Sequence, residues 1–282
     1  MDLPPEIRNQ IYSYLFLPQR VHVVRLKNPE NHAYRLYHVQ LPPRDPENQT
    51  LTCLPHYCHD ENSAAELSSK AKGQTGKNPT KKSKKRWQTQ LSIPMVSKQA
   101  YGDTICLVYA NTQFVFESLK PLSRFLSTTP KQAQAVITHL ELGHIMYNEP
   151  SLTKFRDIKL RSDRNLYMLC ESVANAFDDL SVLHVNLGVY DAPIQLRVGE
   201  GWSLPILAFG RRKRQRGEKG LMFARVRLTC FQFPVDKVRR VEREVEKQLM
   251  DPIYLQLRED EMMAREMSGP MKAMKVLRVV FN

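Results

Sequence analysis

The chain has 282 residues with a hydrophobic share of 42%, enough for a real core and for one large or two small domains. A formal charge of +13 and a pI of about 9.6 favour acidic partners: nucleic acid, an acidic protein face or an anionic membrane. Five cysteines at irregular spacing, no charged-then-apolar leader and no run of membrane-span length argue against a secreted disulfide scaffold and a membrane partner; they predict free thiols in an intracellular compartment, nucleus or cytoplasm.

The first element is a short amphipathic helix running to Leu15. Leu3 precedes it, and Pro4 or Pro5 suits the first helical position, where a missing N–H costs nothing. Glu6 falls in the first turn, where the helix dipole favours negative charge. Ile7, Ile11 and Leu15 recur at i, i+4, i+8 on one face. A helix this short is unstable alone in water and must dock on this chain or on another protein.

Residues 20–27 and 33–40 alternate as two strands of a hairpin, stopped by Pro42-Pro43. Residues 43–86 are rich in Pro, Asn, Ser, Lys and Gly and predict a disordered basic insertion. Two helical pieces follow over 88–110, then a strand over 113–116 and a helix over 119–126. The pentapeptides starting at His139 and His184 are similar and read as strands, with a helix over 165–177 between them. A third strand covers 224–230, a helix runs over 234–249 with a stripe of Val235, Val238, Val241, Val245 and Leu249, and Asp251-Pro252 opens a further helix. A fourth strand is expected over 276–281. Strands alternating with helices predict βα units and a mostly parallel sheet.

Two blocks resemble the F-box-like proteins of filamentous fungi, a family of unknown function. The first is Leu3-Pro4-Pro5-Glu6-Ile7-Arg8 with Ile11-Tyr12. The second begins with Ser97, Lys98 and Asp103, which stand where the family has cysteine, arginine and glutamate, and ends in Tyr109, Asn111, Phe114 and Phe116. The resemblance implies a split F-box-like helical N-terminal part over 1–117 with the hairpin inserted; the βα units over 118–282 read from the strand–helix alternation as a small, leucine-rich-repeat-like sheet, which makes the expected fold class α+β. The resemblance also implies a non-enzymatic adaptor that links an unknown substrate to a cullin-based ubiquitin ligase. Leu3, Pro4, Ile7, Ile11 and Leu15 would dock a Skp1-type linker. The rival is that the same apolar face packs internally against residues 95–109. Tyr101, Tyr109, Phe114 and Phe116 are expected to be buried, and Asn111 to satisfy backbone groups.

Two dense basic runs stand out. Lys81, Lys82, Lys84, Lys85 and Arg86 form one; Arg211, Arg212, Lys213 and Arg214 form the other. Each reads as a solvated loop, a nuclear-import signal, or a nonspecific phosphate contact, so nucleic acid is the second partner class. Cys53, His56, Cys58 and His59 crowd four ligand types into one loop, too tightly for a tetrahedral site, so no metal or other cofactor is expected. Methionines 262, 263, 267, 271 and 274 read as filling gaps against the sheet. No nucleophile elbow, phosphate loop or His-Glu-x-x-His motif is present, which points away from an enzyme.

Overall fold

The computed structural model describes residues 4–27, 33–42, 97–147, 155–189, 195–218, 220–230 and 232–268. In chain order the elements are α1 (Pro5–Leu15), β1 (Gln19–Lys27), β2 (Tyr34–Leu41), α2 (Lys98–Ala110), β3 (Thr112–Phe116), α3 (Leu119–Thr128), α4 (Lys131–Ala135), β4 (His139–Met146), α5 (Arg156–Ala176), β5 (Val182–Val189), α6 (Leu204–Gln215), β6 (Phe223–Thr229), α7 (Val235–Leu249) and α8 (Pro252–Ser268). The six strands form one sheet in the order β2-β1-β3-β4-β5-β6. Only the β1–β2 hairpin is antiparallel; every other pair is parallel.

From β1 onward each new parallel strand joins the outer edge of the last, so the sheet is wound in one direction. With crossovers of a single hand this winding places the helices on one face. The register agrees. Val21, Phe114, Leu140, Leu183 and Ala224 lie side by side in one row across five strands. All five belong to the core with Leu122 and Phe125 of α3, Cys170 and Val173 of α5, Phe209 of α6 and Val241 and Val245 of α7. The opposite face carries a polar row: His22, Val115, Glu141, His184 and Arg225.

Two glycines permit close packing. A Cβ on Gly210 of α6 would lie 2.8 Å from the Gln248 carbonyl oxygen, so α6 and α7 could not approach as they do. Gly220 has φ +120°, and a Cβ there would sit 2.8 Å from the Asp251 nitrogen. That contact lets the chain pair once more beside β6, through a parallel bridge of Leu221 with Met250. Asp251 then caps α8, accepting from Ile253 N at 2.9 Å.

Several expectations need correction. The helix expected over 165–177 begins nine residues earlier, at Arg156. The stripe on α7 loses its first member: Val235 is 63% exposed, while Val238, Val241, Val245 and Leu249 are buried. Met262 and Met263 are exposed rather than packed on the sheet. The two similar pentapeptides are strands, as expected; they pair two residues out of step, His139 with Val182 and Glu141 with His184. The boundary expected between 117 and 118 falls inside the sheet, because β3 pairs along its length with β4. Residues 43–96, with the insertion, and 269–282, with the expected fourth strand, lie outside the described residues.

Among the aromatics of the second block, Phe114 and Phe116 are buried and Tyr109 is half-buried. Tyr101 departs from expectation at 41% exposed. Phe125 gathers the cluster, with ring centroids 5.0 Å from Phe114, 5.3 Å from Phe116 and 6.1 Å from Tyr109. Truncation to Phe125→Ala removes three ring contacts from a buried apolar cluster. A loss of about 3–5 kcal/mol in urea unfolding is expected; a loss under about 1 kcal/mol would show that this cluster does not anchor the sheet.

Candidate functional site

The helix α1 has two faces with different fates. Arg8, Tyr12 and Phe16 recur at i, i+4, i+8 and turn inward. Tyr12 and Phe16 are buried, and Arg8 ion-pairs with Asp103 of α2 at 3.0 Å. Ser97 caps α2 by accepting from Ala100 N at 3.0 Å. Asn111 ends α2 at φ −88°, not left-handed; its side-chain amide donates to Phe16 O at 3.0 Å and its carbonyl accepts from Gln19 N at 3.0 Å. These bonds clamp the α1–β1 link to the end of α2. The other face carries the sequence-predicted docking residues. Ile7, Ile11 and Leu15 are 44%, 43% and 43% exposed, with Tyr14 and Leu17 exposed beside them. Pro4 is exposed, and Leu3 lies outside the described residues. So α1 does pack on α2, but through the face that the apolar periodicity did not single out.

The polar sheet face centres on a charge that sequence reasoning missed. Glu141 is only 2% exposed, between Leu140 and Leu142 on β4. Arg20 of β1 donates to its carboxylate at 2.8 Å, and the Asn186 side-chain amide approaches the other oxygen at 3.5 Å. His22 lies 3.5 Å from Glu117, and burial lowers its pKa. His184 stacks near Phe223, with ring centroids 5.3 Å apart. A glutamate inside an apolar strand was the available signal; the pairing with Arg20 needs the three-dimensional register. On the helix-facing side, burial lowers the His144 pKa to about 4, and its ring sits 3.4 Å from Ser162 Oγ. Asp163, one residue on, accepts from Tyr147 N at 3.1 Å.

The second basic run is not the solvated loop expected. Arg211, Arg212, Lys213 and Arg214 occupy the C-terminal turns of α6, where cations suit the helix dipole. Lys213 donates to Asp178 O at 2.7 Å and ion-pairs with Glu218. Arg214 donates to Gln248 O at 2.8 Å, Arg216 to Asn175 O at 3.1 Å, and Arg211 pairs with Glu171 at 3.2 Å. Three of these cations thus satisfy carbonyls at and just beyond the ends of the flanking helices α5 and α7. Lys81, Lys82, Lys84, Lys85 and Arg86 lie outside the described residues, as does the Cys53–His59 loop.

The free edge of β6 is closed by side chains. Val226 N donates to Glu246 at 2.8 Å and Leu228 N to Glu242 at 2.6 Å, both from α7. Arg258 of α8 donates to Ala224 O at 2.9 Å and ion-pairs with Glu246 at 3.0 Å. Burial raises both glutamate pKa values above the ordinary range. Among the described residues, no group of His, Cys, Asp and Glu could hold a metal ion, and no helix is long and apolar enough to cross a membrane. Cys106, Cys170 and Cys230 are free thiols, and burial pushes Cys170 up to about 12.

The chain belongs to the family described as Domain of unknown function (DUF7730), whose model matches residues 1–200. No curated protein and no solved structure matches the chain. The matched span holds α1, the hairpin, and the sheet through β5; α6, β6, α7 and α8 lie beyond it.

The Arg20–Glu141 pair generates a test within that span. Replacing one member of a buried pair strands the other, so Arg20→Met is expected to cost about 3–5 kcal/mol in chemical unfolding. The double variant Arg20→Met/Glu141→Leu is expected to recover most of that loss. A double variant as unstable as the single one would mean that the pair holds the register of β1 against β4 by more than charge balance.

Proposed function

We propose that the protein is a non-enzymatic adaptor, F-box-like at its N-terminal end, in which α1 docks a Skp1-type linker and the α/β part selects a substrate. One observation carries this reading. Arg8, Tyr12 and Phe16 anchor α1 to the body of the protein, which leaves Ile7, Ile11 and Leu15 as an outward apolar stripe on a rigidly held helix. A stripe at that spacing fits the helix-in-groove mode of recognition, and a held helix loses little entropy on binding. The ion pair of Arg8 with Asp103 also joins the two blocks that carry the F-box resemblance. The singly wound, mostly parallel sheet supports reading the α/β part as a short leucine-rich-repeat-like array, a fold suited to presenting a binding surface.

The nucleic-acid reading is weaker. It drew on two basic runs, and Arg211, Lys213, Arg214 and Arg216 are engaged with helix ends and carboxylates. In a pull-down with a purified Skp1-type linker, the wild-type chain is expected to bind. Ile7→Asp/Ile11→Asp is expected to lose at least about tenfold in affinity while keeping its circular dichroism and unfolding midpoint, because both side chains already face solvent. A folded wild-type chain that does not bind the linker would sink the proposal.

A further inference from the structure

A cleft of about 690 Å³ lies between α7, α8 and β6. Seven cationic side chains line it against four carboxylates, with Leu255 and Met262 of α8 as its apolar wall. Three of the four carboxylates, all but Glu244, are already engaged. Glu242 and Glu246 are turned into the sheet edge, where they accept from Leu228 N and Val226 N. Glu246 also holds Arg258 at 3.0 Å, and Glu259 holds Lys247 at 3.3 Å. Arg239 and Arg243 are different. Both are exposed, and neither makes an ion pair or side-chain hydrogen bond among the described residues. Arg240 beside them reaches only the Asp236 carbonyl, at 3.4 Å.

The spacing of the two arginines selects a ligand shape. Residues four apart on a helix are separated by about 6 Å along its axis. Alternate residues of an extended peptide are about 6.6 Å apart on the same side. Carboxylates at every second position of such a peptide would therefore meet Arg239 and Arg243 in succession, each guanidinium offering a two-pronged fork. The intervening side chains would point the other way, toward Leu255 and Met262, and methionine adapts to varied apolar shapes. A polyphosphate backbone suits the cleft less well, because Glu244 also lines it and would meet a continuous negative charge, whereas the peptide's intervening side chains are apolar.

We propose that this cleft binds an extended acidic peptide segment of a partner protein, with carboxylate and apolar side chains in alternation. The surface is distinct from α1 and stands whether or not α1 docks a linker. The probe is a fluorescein-labelled ten-residue peptide alternating Glu and Leu, titrated with the full chain and read by fluorescence anisotropy. Binding is expected to weaken with added salt. It is expected to fall at least about tenfold for the Gln-Leu peptide and for Arg239→Glu/Arg243→Glu, whose exposed positions leave the fold intact by circular dichroism. Arg124→Glu, on α3 at the other end of the sheet, is expected to bind as wild type. Absence of binding by wild type, or equal binding by the double variant, would overturn the proposal. So would an oligothymidylate that binds wild type, loses binding in the double variant and outcompetes the peptide, since the cleft would then be a nucleic-acid site.

Discussion

Glu242 and Glu246 cover the outer edge of β6, the last strand of the sheet among the described residues. A sheet wound in one direction must end, and its last strand presents unpaired N–H groups that invite another chain. Here the spacing of the two backbones solves the problem. Glutamates four apart on α7 are about 6 Å apart, and N–H groups two apart on β6 are about 6.6 Å apart, so each carboxylate meets one donor. The pairing fixes the rotation of α7. Val238, Val241, Val245 and Leu249 are then buried, and Arg239 and Arg243 face solvent. One helix therefore closes an edge, completes a core and walls a cleft. The same spacing argument, applied to its outer side, points to an extended acidic ligand.

The other end of the molecule is built on a different principle. The β1–β2 hairpin closes that side of the sheet by ordinary antiparallel pairing, and α1 rides on α2 through one ion pair and two buried rings. A single inward face suffices because the bonds of Asn111 to Phe16 and Gln19 hold the connecting segment. Ile7, Ile11 and Leu15 meanwhile keep their outward sides in solvent. Between the two ends, the buried contact of Arg20 with Glu141 spans from β1 to β4 across β3 and ties the hairpin to the parallel strands. The family match covers α1 and this charged contact but stops before α7, so the two candidate binding surfaces divide between matched and unmatched chain.

The order of elements was largely legible in the sequence, because strong alternation and helical stripes report burial directly. The hairpin, β3, α3, β4, β5, β6 and α7 all lie where their patterns predict. What escaped was anything decided by partners distant in the chain. The periodicity of Ile7, Ile11 and Leu15 marked one apolar face of α1, while the buried face was set by Arg8 finding Asp103. The basic run at 211–216 read as a loop because charge density resembles solvation; the carbonyls of Asn175, Asp178 and Gln248 that it serves come from elsewhere in the chain. Nothing in the pattern of 234–249 marks Glu242 and Glu246, because a helix does not announce the strand edge beside it. The similarity of the segments at His139 and His184 reported two strands but carried no information on their register.

The measurement that tests this account most directly is native-state hydrogen exchange at the Val226 and Leu228 amides. With the edge closed by carboxylates, both are expected to exchange slowly, near the rates of the β5 amides. In Glu242→Ala/Glu246→Ala both are expected to exchange far faster, while the β4 and β5 amides keep their protection. Fast exchange of Val226 and Leu228 in the wild-type chain would contradict the account, since it would mean that α7 does not close the sheet and does not hold the cleft in place.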